Sequence, residues 1–284
     1  MSWLAPGSLA QRILLSYLRS RQHRGKARVA SLLGRLLPTE GIVAPVDAGV
    51  LLHLHPRDWI EYVLLTTGRY EPLTLAFLAA NLSPGDSAVL AGVNFGLHAI
   101  VAARAVQPGG LVVGVEPQPA ALQRASRNFA INGLADSIVL VSAALAESPQ
   151  LMPMSWPPPD NAGAASLLDP PKGGITICCL PLADVLGQLG VSRLRLCLLD
   201  VQGFELHALA GLGLGPLPDI LIVEADALFL ARAGTTMAAL LAKLTALGYS
   251  VHDLHGTLVP DSATGVDEAN LIATRGTTSA IVWV

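Results

Sequence analysis

Val89-Leu90-Ala91-Gly92-Val93-Asn94-Phe95-Gly96 is followed by an apolar helical run and then by Val112-Val113-Gly114-Val115-Glu116. This stretch reads as a strand, a glycine loop, a helix and a second strand that ends in a carboxylate. In an α/β protein that order binds a nucleoside. Glycines let the backbone approach the ligand, and an acid about 20 residues on accepts from the ribose hydroxyls. Glu116 lies twenty residues after Gly96. A plainer reading also accounts for the glycines: a tight strand-to-helix turn needs them for its own backbone angles.

The loop is G-x-N-x-G and not G-x-G-x-x-G. That disfavours a dinucleotide and favours a cofactor with no pyrophosphate to cradle, and S-adenosylmethionine is such a cofactor. Outward from the loop, the chain alternates strands and helices. Helical stretches are expected at Leu73–Leu82, at residues 97–106 and at Pro119–Asn132. Strands are expected at Leu111–Val115, Ile138–Ser142, Leu194–Leu199 and Ile220–Val223. Further helices fall at Leu182–Leu189 and Thr235–Leu247. Tyr249–Leu254 and Ser279–Val284 are read as a closing antiparallel pair, and Pro149–Gly174 as a long loop without periodic pattern. Near-continuous apolar strands alternating with helices imply an α/β fold with a mostly parallel sheet covered on both faces. Ligands then bind beyond the carboxyl ends of the strands. Three of those ends carry acids, Glu116, Asp200 and Glu224.

Composition bounds the rest. With 284 residues and 52% hydrophobic content the chain is long enough for one large α/β domain. Its apolar windows are cut by charge, proline or glycine before membrane-spanning length. No signal peptide is read at the N-terminus, which makes a cytoplasmic location the expectation. Cys178, Cys179 and Cys197 lie in apolar runs and not at metal-ligand spacing, so they are expected to be small core residues. His252 and His255 carry no metal spacing either, and no metal site is expected. His98, two residues after the glycine loop, either faces the site or packs in the first helical turn.

Seven of the 18 Lys and Arg residues precede the first acid, Glu40, leaving 11 cations against 21 acids in the remainder. Residues 1–45 are therefore read as a basic helical N-terminal arm, and 46–284 as the domain, with its cofactor-binding core at 84–254. Two readings of the arm stay open: packed on its own domain, or lying on an anionic membrane surface or a partner. Nucleic acid is not an expected partner, because the body is acidic and has no basic patch with interleaved aromatics.

Several short segments together resemble the FkbM family of class I S-adenosylmethionine-dependent methyltransferases, over roughly residues 50–275. They are Gly68-Arg69-Tyr70-Glu71-Pro72, the glycine loop with Asn94, Pro108-Gly109-Gly110, Val115-Glu116-Pro117 and Asn128 with Asn132-Gly133. Ala143-Ala144-Leu145, Gly163 to Leu167, Leu199 to Leu206 and Ile222-Val223-Glu224 complete the set. The resemblance implies a Rossmann-like class I methyltransferase fold with a seven-stranded sheet. It also implies methyl transfer to a hydroxyl oxygen on a sugar, glycan or secondary metabolite, so a small-molecule or glycan acceptor. On that reading Gly92, Asn94, Gly96, Glu116 and Ala143 bind S-adenosylmethionine, with Tyr70 and Glu71 on the cofactor side as a lid. Asp200 contacts or deprotonates the acceptor, and Glu224 and Glu205 support it or hold a loop. Leu90, Leu198 and Gln202 stand where the family has an aspartate, a lysine and a glutamate. Those departures keep a second reading open, a methyltransferase fold retained as a binding or scaffold protein. A nicotinamide-dependent oxidoreductase is a third, disfavoured by the absent third glycine and by Glu116-Pro117.

Overall fold

The structure, a computed structural model, describes residues 8–21, 37–38, 40–157, 167–168, 174–213, 215–260, 263, 270–276 and 281–284. Most of the basic arm, the centre of the 149–174 segment with Gly163 to Ser166, and Ser279-Ala280 lie outside the described residues.

The chain begins with α1 (Leu9–Leu18), capped by the Ser8 side chain, and an antiparallel hairpin of β1 (Ile42–Pro45) and β2 (Leu51–Leu54). α2 (Trp59–Thr67) starts where the Asp58 carboxylate accepts from the Ile60 and Glu61 amides and ends at Gly68 in the left-handed conformation. α3 (Pro72–Asn81) opens on a proline, which fits a first helical turn whose amides lack partners anyway. The Rossmann-like core follows as β3 (Ser87–Ala91), α4 (Leu97–Val106), β4 (Leu111–Val115), α5 (Pro119–Ile131) and β5 (Ile138–Val141). After β6 (Ala144–Leu145), β7 (Gln150–Ser155) and β8 (Gly174–Leu180) come α6 (Leu182–Gln188), β9 (Leu196–Leu199), α7 (Glu205–Ala210) and β10 (Ile220–Glu224). α8 (Ala227–Arg232), α9 (Met237–Ala246), β11 (Ser250–His252) and β12 (Asn270–Thr274) complete the fold.

The main sheet has seven strands in the order β11-β12-β10-β9-β3-β4-β5. The five strands β10, β9, β3, β4 and β5 are parallel neighbours, while β12 runs antiparallel to both β10 and β11. The chain moves from β3 outward to β5, then returns to build the other half from β9, so the order reverses between β3 and β9. A crevice forms at such a reversal. Side chains alternate strictly between two cores. Ala88, Leu90, Leu196, Leu198, Ile220 and Ile222 face the one built with α3, α4 and α5. Val89, Ala91, Cys197, Leu199, Leu221 and Val223 face the one built with α6, α7 and α9. Burial on both faces explains why these strands read as unbroken apolar runs.

α1 belongs to the first core through Leu14, Leu15 and Leu18. Gln11 donates to the Val43 carbonyl, and the Arg19 guanidinium to the carbonyls of Pro45, Leu64 and Leu65. Residues 8–21 thus pack on the rest of the fold, and a boundary at 45/46 would fall inside the β1–β2 hairpin.

Three expectations are corrected. The closing strand is Asn270–Thr274: it is inserted between β10 and β11, its Leu271, Ile272 and Ala273 are fully buried, and the described part of the expected Ser279–Val284, residues 281–284, forms no strand. The sheet thus extends past residue 254. The C-terminal residues instead cross α3, where the Asn81 side chain pairs with both backbone groups of Val282 and Trp283 lies against Phe77 and His252. Second, the proline-rich segment is not wholly loop, because β7 pairs with β8, and β8 also pairs with β6, in a small separate sheet. β7 is the edge of that sheet, so Pro153 withholds no amide that a second neighbour would need. Third, Cys178 is exposed, because it falls on the outward face of β8 while Cys179 faces in.

Asn128 ties the hairpin to the glycine loop. Its oxygen accepts from the His53 amide at 2.7 Å and its nitrogen donates to the Phe95 carbonyl at 2.8 Å, with the side chain fully buried. Asn132 does the same for both backbone groups of Leu51. Asn128→Ala leaves a buried donor and a buried acceptor unpaired and should lower unfolding free energy by about 2–4 kcal/mol. Asn128→Asp should cost at least as much, since it sets a carboxylate against the Phe95 carbonyl. Denaturant titration of the three proteins measures both effects.

Candidate active site

Register puts the strand ends at one level. Ala91 pairs with Val115 and with Leu199, Val115 pairs with Val141, and Leu199 pairs with Val223. The residues that follow, Gly92, Glu116, Asp200 and Glu224, therefore lie in a row at the carboxyl edge, with Ala143 two residues past the end of β5. A cavity partly open to solvent lies over this edge at the β3/β9 reversal. Gly92, Asn94, Glu116, Ala143, Asp200 and Gln202 line it, joined by Met154 of β7 and by Phe204.

Glu116 is buried and accepts from the Asn94 amide at 3.0 Å on one oxygen and from the Gln118 amide at 2.9 Å on the other. Burial raises its pKa, against the two amides that favour the anion. Each carboxylate oxygen can accept twice, so both keep a lone pair for a donor in the cavity. A pair of vicinal hydroxyls satisfies that requirement, which is the fit expected of a ribose. Asn94 presents its amide because it adopts a φ of 50°, a left-handed conformation that asparagine tolerates.

The glycines serve the protein itself. Gly92 has a φ of 85°, and a Cβ there would overlap the Asp200 carbonyl oxygen. Gly96 lies off the cavity, where a Cβ would sit 2.5 Å from the Phe129 ring. Both are needed for close packing of the loop against β9 and α5, and Gly92 alone of the two also borders the cavity.

A second cluster adjoins the cavity behind Asp200. Asp200 and Glu224 follow the paired residues Leu199 and Val223 of neighbouring strands, and one Glu224 oxygen is buried without a hydrogen-bond partner. Both pKa values are raised, by desolvation first and, for Glu224, then by the neighbouring acids, so the pair holds a proton in the neutral range. Tyr70 and Glu71 sit with this pair and not on the cavity wall. Glu71, at a φ of 46°, accepts from Asn270 at 3.2 Å and makes an ion-pair contact of 3.3 Å with His98. Burial opposes charge on both, yet their contact prevails: the Glu71 carboxyl is held below its ordinary range and the His98 imidazole above its own. Burial and the charges of Glu71, Asp200 and Glu224 push the Tyr70 phenol strongly upward, which marks how closely these groups share one site.

Glu205 takes no part in the cavity wall. One oxygen accepts from the Val201 and Gly203 amides at 3.2 and 3.1 Å, holding the loop that carries Asp200. The pairing of His98 with Glu71 and the contribution of Asn270, Met154 and Phe204 escaped the sequence reading. Only His98 carried a signal there, its distance from the glycine loop. Leu90 and Leu198 pair side by side on the core face away from the cavity, so two of the three departures from the family pattern remove nothing from its wall; Gln202 does border it. Among the described residues no group of His, Cys, Asp and Glu is arranged to hold a metal ion, and no helix is long and apolar enough to cross a membrane.

A parallel sheet with this strand order, a glycine loop after the first core strand and an acid after the second define a Rossmann-like S-adenosylmethionine-dependent methyltransferase. Residues 91–251 match the methyltransferase FkbM domain, and the chain belongs to that family. Its cofactor is accordingly S-adenosylmethionine. No curated protein matches the chain. Among solved structures it is similar to an S-adenosylmethionine-dependent O-methyltransferase from Thermotoga maritima, at 16% identity over 83% of this chain and 78% of that one, with a TM-score of 0.44. An O-methyltransferase from Bacillus cereus in complex with S-adenosylhomocysteine is similar at 14% identity over 72% and 79%, with a TM-score of 0.40. A putative rRNA methylase from Clostridium thermocellum is similar at 10% identity over 70% and 92%, with a TM-score of 0.43. Likenesses this distant say nothing of the acceptor.

Burial raises Glu205 to about 7. The native state therefore binds a proton that the unfolded chain, with a carboxyl near 4.3, has released by neutral pH. Stability should fall as pH rises from about 4.5 to about 7, by up to about 3 kcal/mol from this group. Glu205→Gln keeps the accepting oxygen and removes that dependence. Its stability relative to the parent should improve across the same window, as read by denaturant titration at pH 4.5, 6 and 8.

Proposed function

We propose that the protein transfers the methyl group of S-adenosylmethionine to a hydroxyl oxygen of a sugar or secondary metabolite, with Asp200 as the proton acceptor. The observation that carries this reading is the placement of the Asp200 carboxyl on the wall of the same cavity as Glu116, two strands away at the same level of the sheet. The bound cofactor supplies an electrophilic methyl on a sulfonium. Glu116 accepts from the ribose hydroxyls, Ala143 flanks the adenine, and the loop at Gly92 and Asn94 holds the amino-acid end. Asp200, on the same wall, would orient an acceptor hydroxyl and take its proton. Glu224 supports Asp200, Glu205 holds its loop, and Tyr70 and Glu71 serve as a lid on the cofactor side.

A hydroxyl acceptor needs a proton acceptor of this kind, because it is not nucleophilic enough until its proton is drawn off. A small molecule or glycan is favoured over nucleic acid by the excess of acids over cations after Glu40.

Calorimetric titration tests the cofactor contacts. The parent should bind S-adenosylmethionine and S-adenosylhomocysteine, and Glu116→Ala should weaken both about a hundredfold, the loss of two hydrogen bonds to a charged group. Unchanged affinity in the variant would remove Glu116 from the site. A panel of sugars and hydroxylated metabolites, read by mass increase of one methyl, tests the chemistry. Asp200→Asn should lower transfer about 10²–10⁴-fold while leaving S-adenosylhomocysteine binding in place; transfer at the parental rate would rule Asp200 out as the base.

A further inference from the structure

Four carboxyl groups, Glu71, Asp200, Glu205 and Glu224, converge with Tyr70 behind the cavity, and the cation that faces them is His98, already engaged by Glu71. Asp200 and Glu224 stand side by side at the ends of neighbouring strands, Asp200 on the cavity wall and Glu224 with one oxygen buried and unpartnered. The neighbouring elements bring further acids together with one imidazole and two neutral groups. The segment before α3 brings Tyr70 and Glu71, α4 brings His98, α7 brings Glu205, β12 brings the neutral Asn270, and Glu116 lies across the cavity.

The order of the strands places the cofactor's charge. With adenine at Ala143 beyond β5 and ribose at Glu116 beyond β4, the sulfur falls past β3 toward β9, about 10 Å from β4 at about 4.8 Å per strand. That is where Asp200 stands. S-adenosylmethionine carries a positive sulfur there and S-adenosylhomocysteine does not.

We propose that the Asp200–Glu224 pair is a charge-gated proton store, which keeps one proton when the cavity is empty or holds the uncharged spent cofactor and releases it to solvent when the cationic methyl donor binds. A proton acceptor then exists only when there is a methyl to transfer. The inference rests on the cofactor placement given under the proposed function. A positive charge brought beside two carboxyl groups favours their ionised form, and the raised pKa values of both acids leave a proton to be displaced. The balance closes over a turnover. The acceptor oxygen gains the methyl, the sulfur keeps the electron pair of the broken S–C bond, and the hydroxyl proton passes to the pair. That proton leaves when fresh donor replaces the neutral thioether, so each turnover yields one proton overall.

Calorimetric titration of the full chain with S-adenosylmethionine and with S-adenosylhomocysteine, each in phosphate and in Tris between pH 7 and 8.5, reads the number of protons exchanged without any acceptor. The two ligands share amino and carboxylate groups, so their difference isolates the sulfonium. The expected result is release approaching one proton per donor bound, with affinity rising up to about tenfold per pH unit, and no such release with S-adenosylhomocysteine. Glu224→Gln, and independently Asp200→Asn, should abolish the difference while still binding S-adenosylhomocysteine. Equal proton counts for the two ligands in the parent, or a donor-linked release that survives in both variants, would overturn the proposal. Failure of the parent to bind either ligand would overturn the cofactor placement itself, and the proton store with it.

Discussion

The absence of a side chain at residue 92 is the constraint on which the site depends. β3 and β9 are the strands where the sheet order reverses, and the chain leaves them in different directions, one into the glycine loop and the other into the loop carrying Asp200. Their ends stay in register only because Gly92 lets the Asp200 carbonyl come within what would be Cβ volume. Any side chain there would push β9 away from β3, and Asp200 away from the wall it shares with Glu116. Gly96 against Phe129 and Asn128 against His53 and Phe95 hold the other side of the same loop. The loop is thereby fixed from below by α5 and from the side by β9, which leaves the Asn94 amide free to orient Glu116.

That rigid edge concentrates carboxyl groups, and each is handled differently. Glu116 and Glu205 use backbone amides, two each, which suits acids that must hold a fixed orientation. Glu71 takes a cation, His98, and an amide nitrogen from Asn270. Asp200 and Glu224 have each other. Burying five acids within one end of a sheet opposes folding, and a fold whose two hydrophobic cores run the length of that sheet can bear it. A site with negative potential and few counterions is in turn suited to a ligand that brings its own positive charge.

Much of this was legible in the chain. Strands buried on both faces need apolar side chains at every position, so β3, β4, β9 and β10 stand out as unbroken runs, each stopping at glycine or an acid. The helices between them follow from proline starts and glycine stops. Where the reading failed, the deciding contact was remote. Asn270–Thr274 and Ser279–Val284 are both short apolar segments, and only pairing with β10 and β11 selects the first. Pro149 and Pro153 masked β7, because its single neighbour β8 tolerates a missing amide in a way that no local pattern announces. The contact of Glu71 with His98 likewise joins the segment before α3 to the first turn of α4, and no local pattern announces it.

The sequence by itself determined the alternation of elements and which strands end in an acid, because both depend on side-chain periodicity and on residues close together in the chain. Tertiary structure alone decided which acids stand side by side and which one is paired with His98. It also decided that the glycines clear space for Asp200 and Phe129 in addition to any ligand. Hydrogen bonding and desolvation act through distances of a few ångströms, and residues 71, 98, 200, 224 and 270 come within that range only after the sheet has closed.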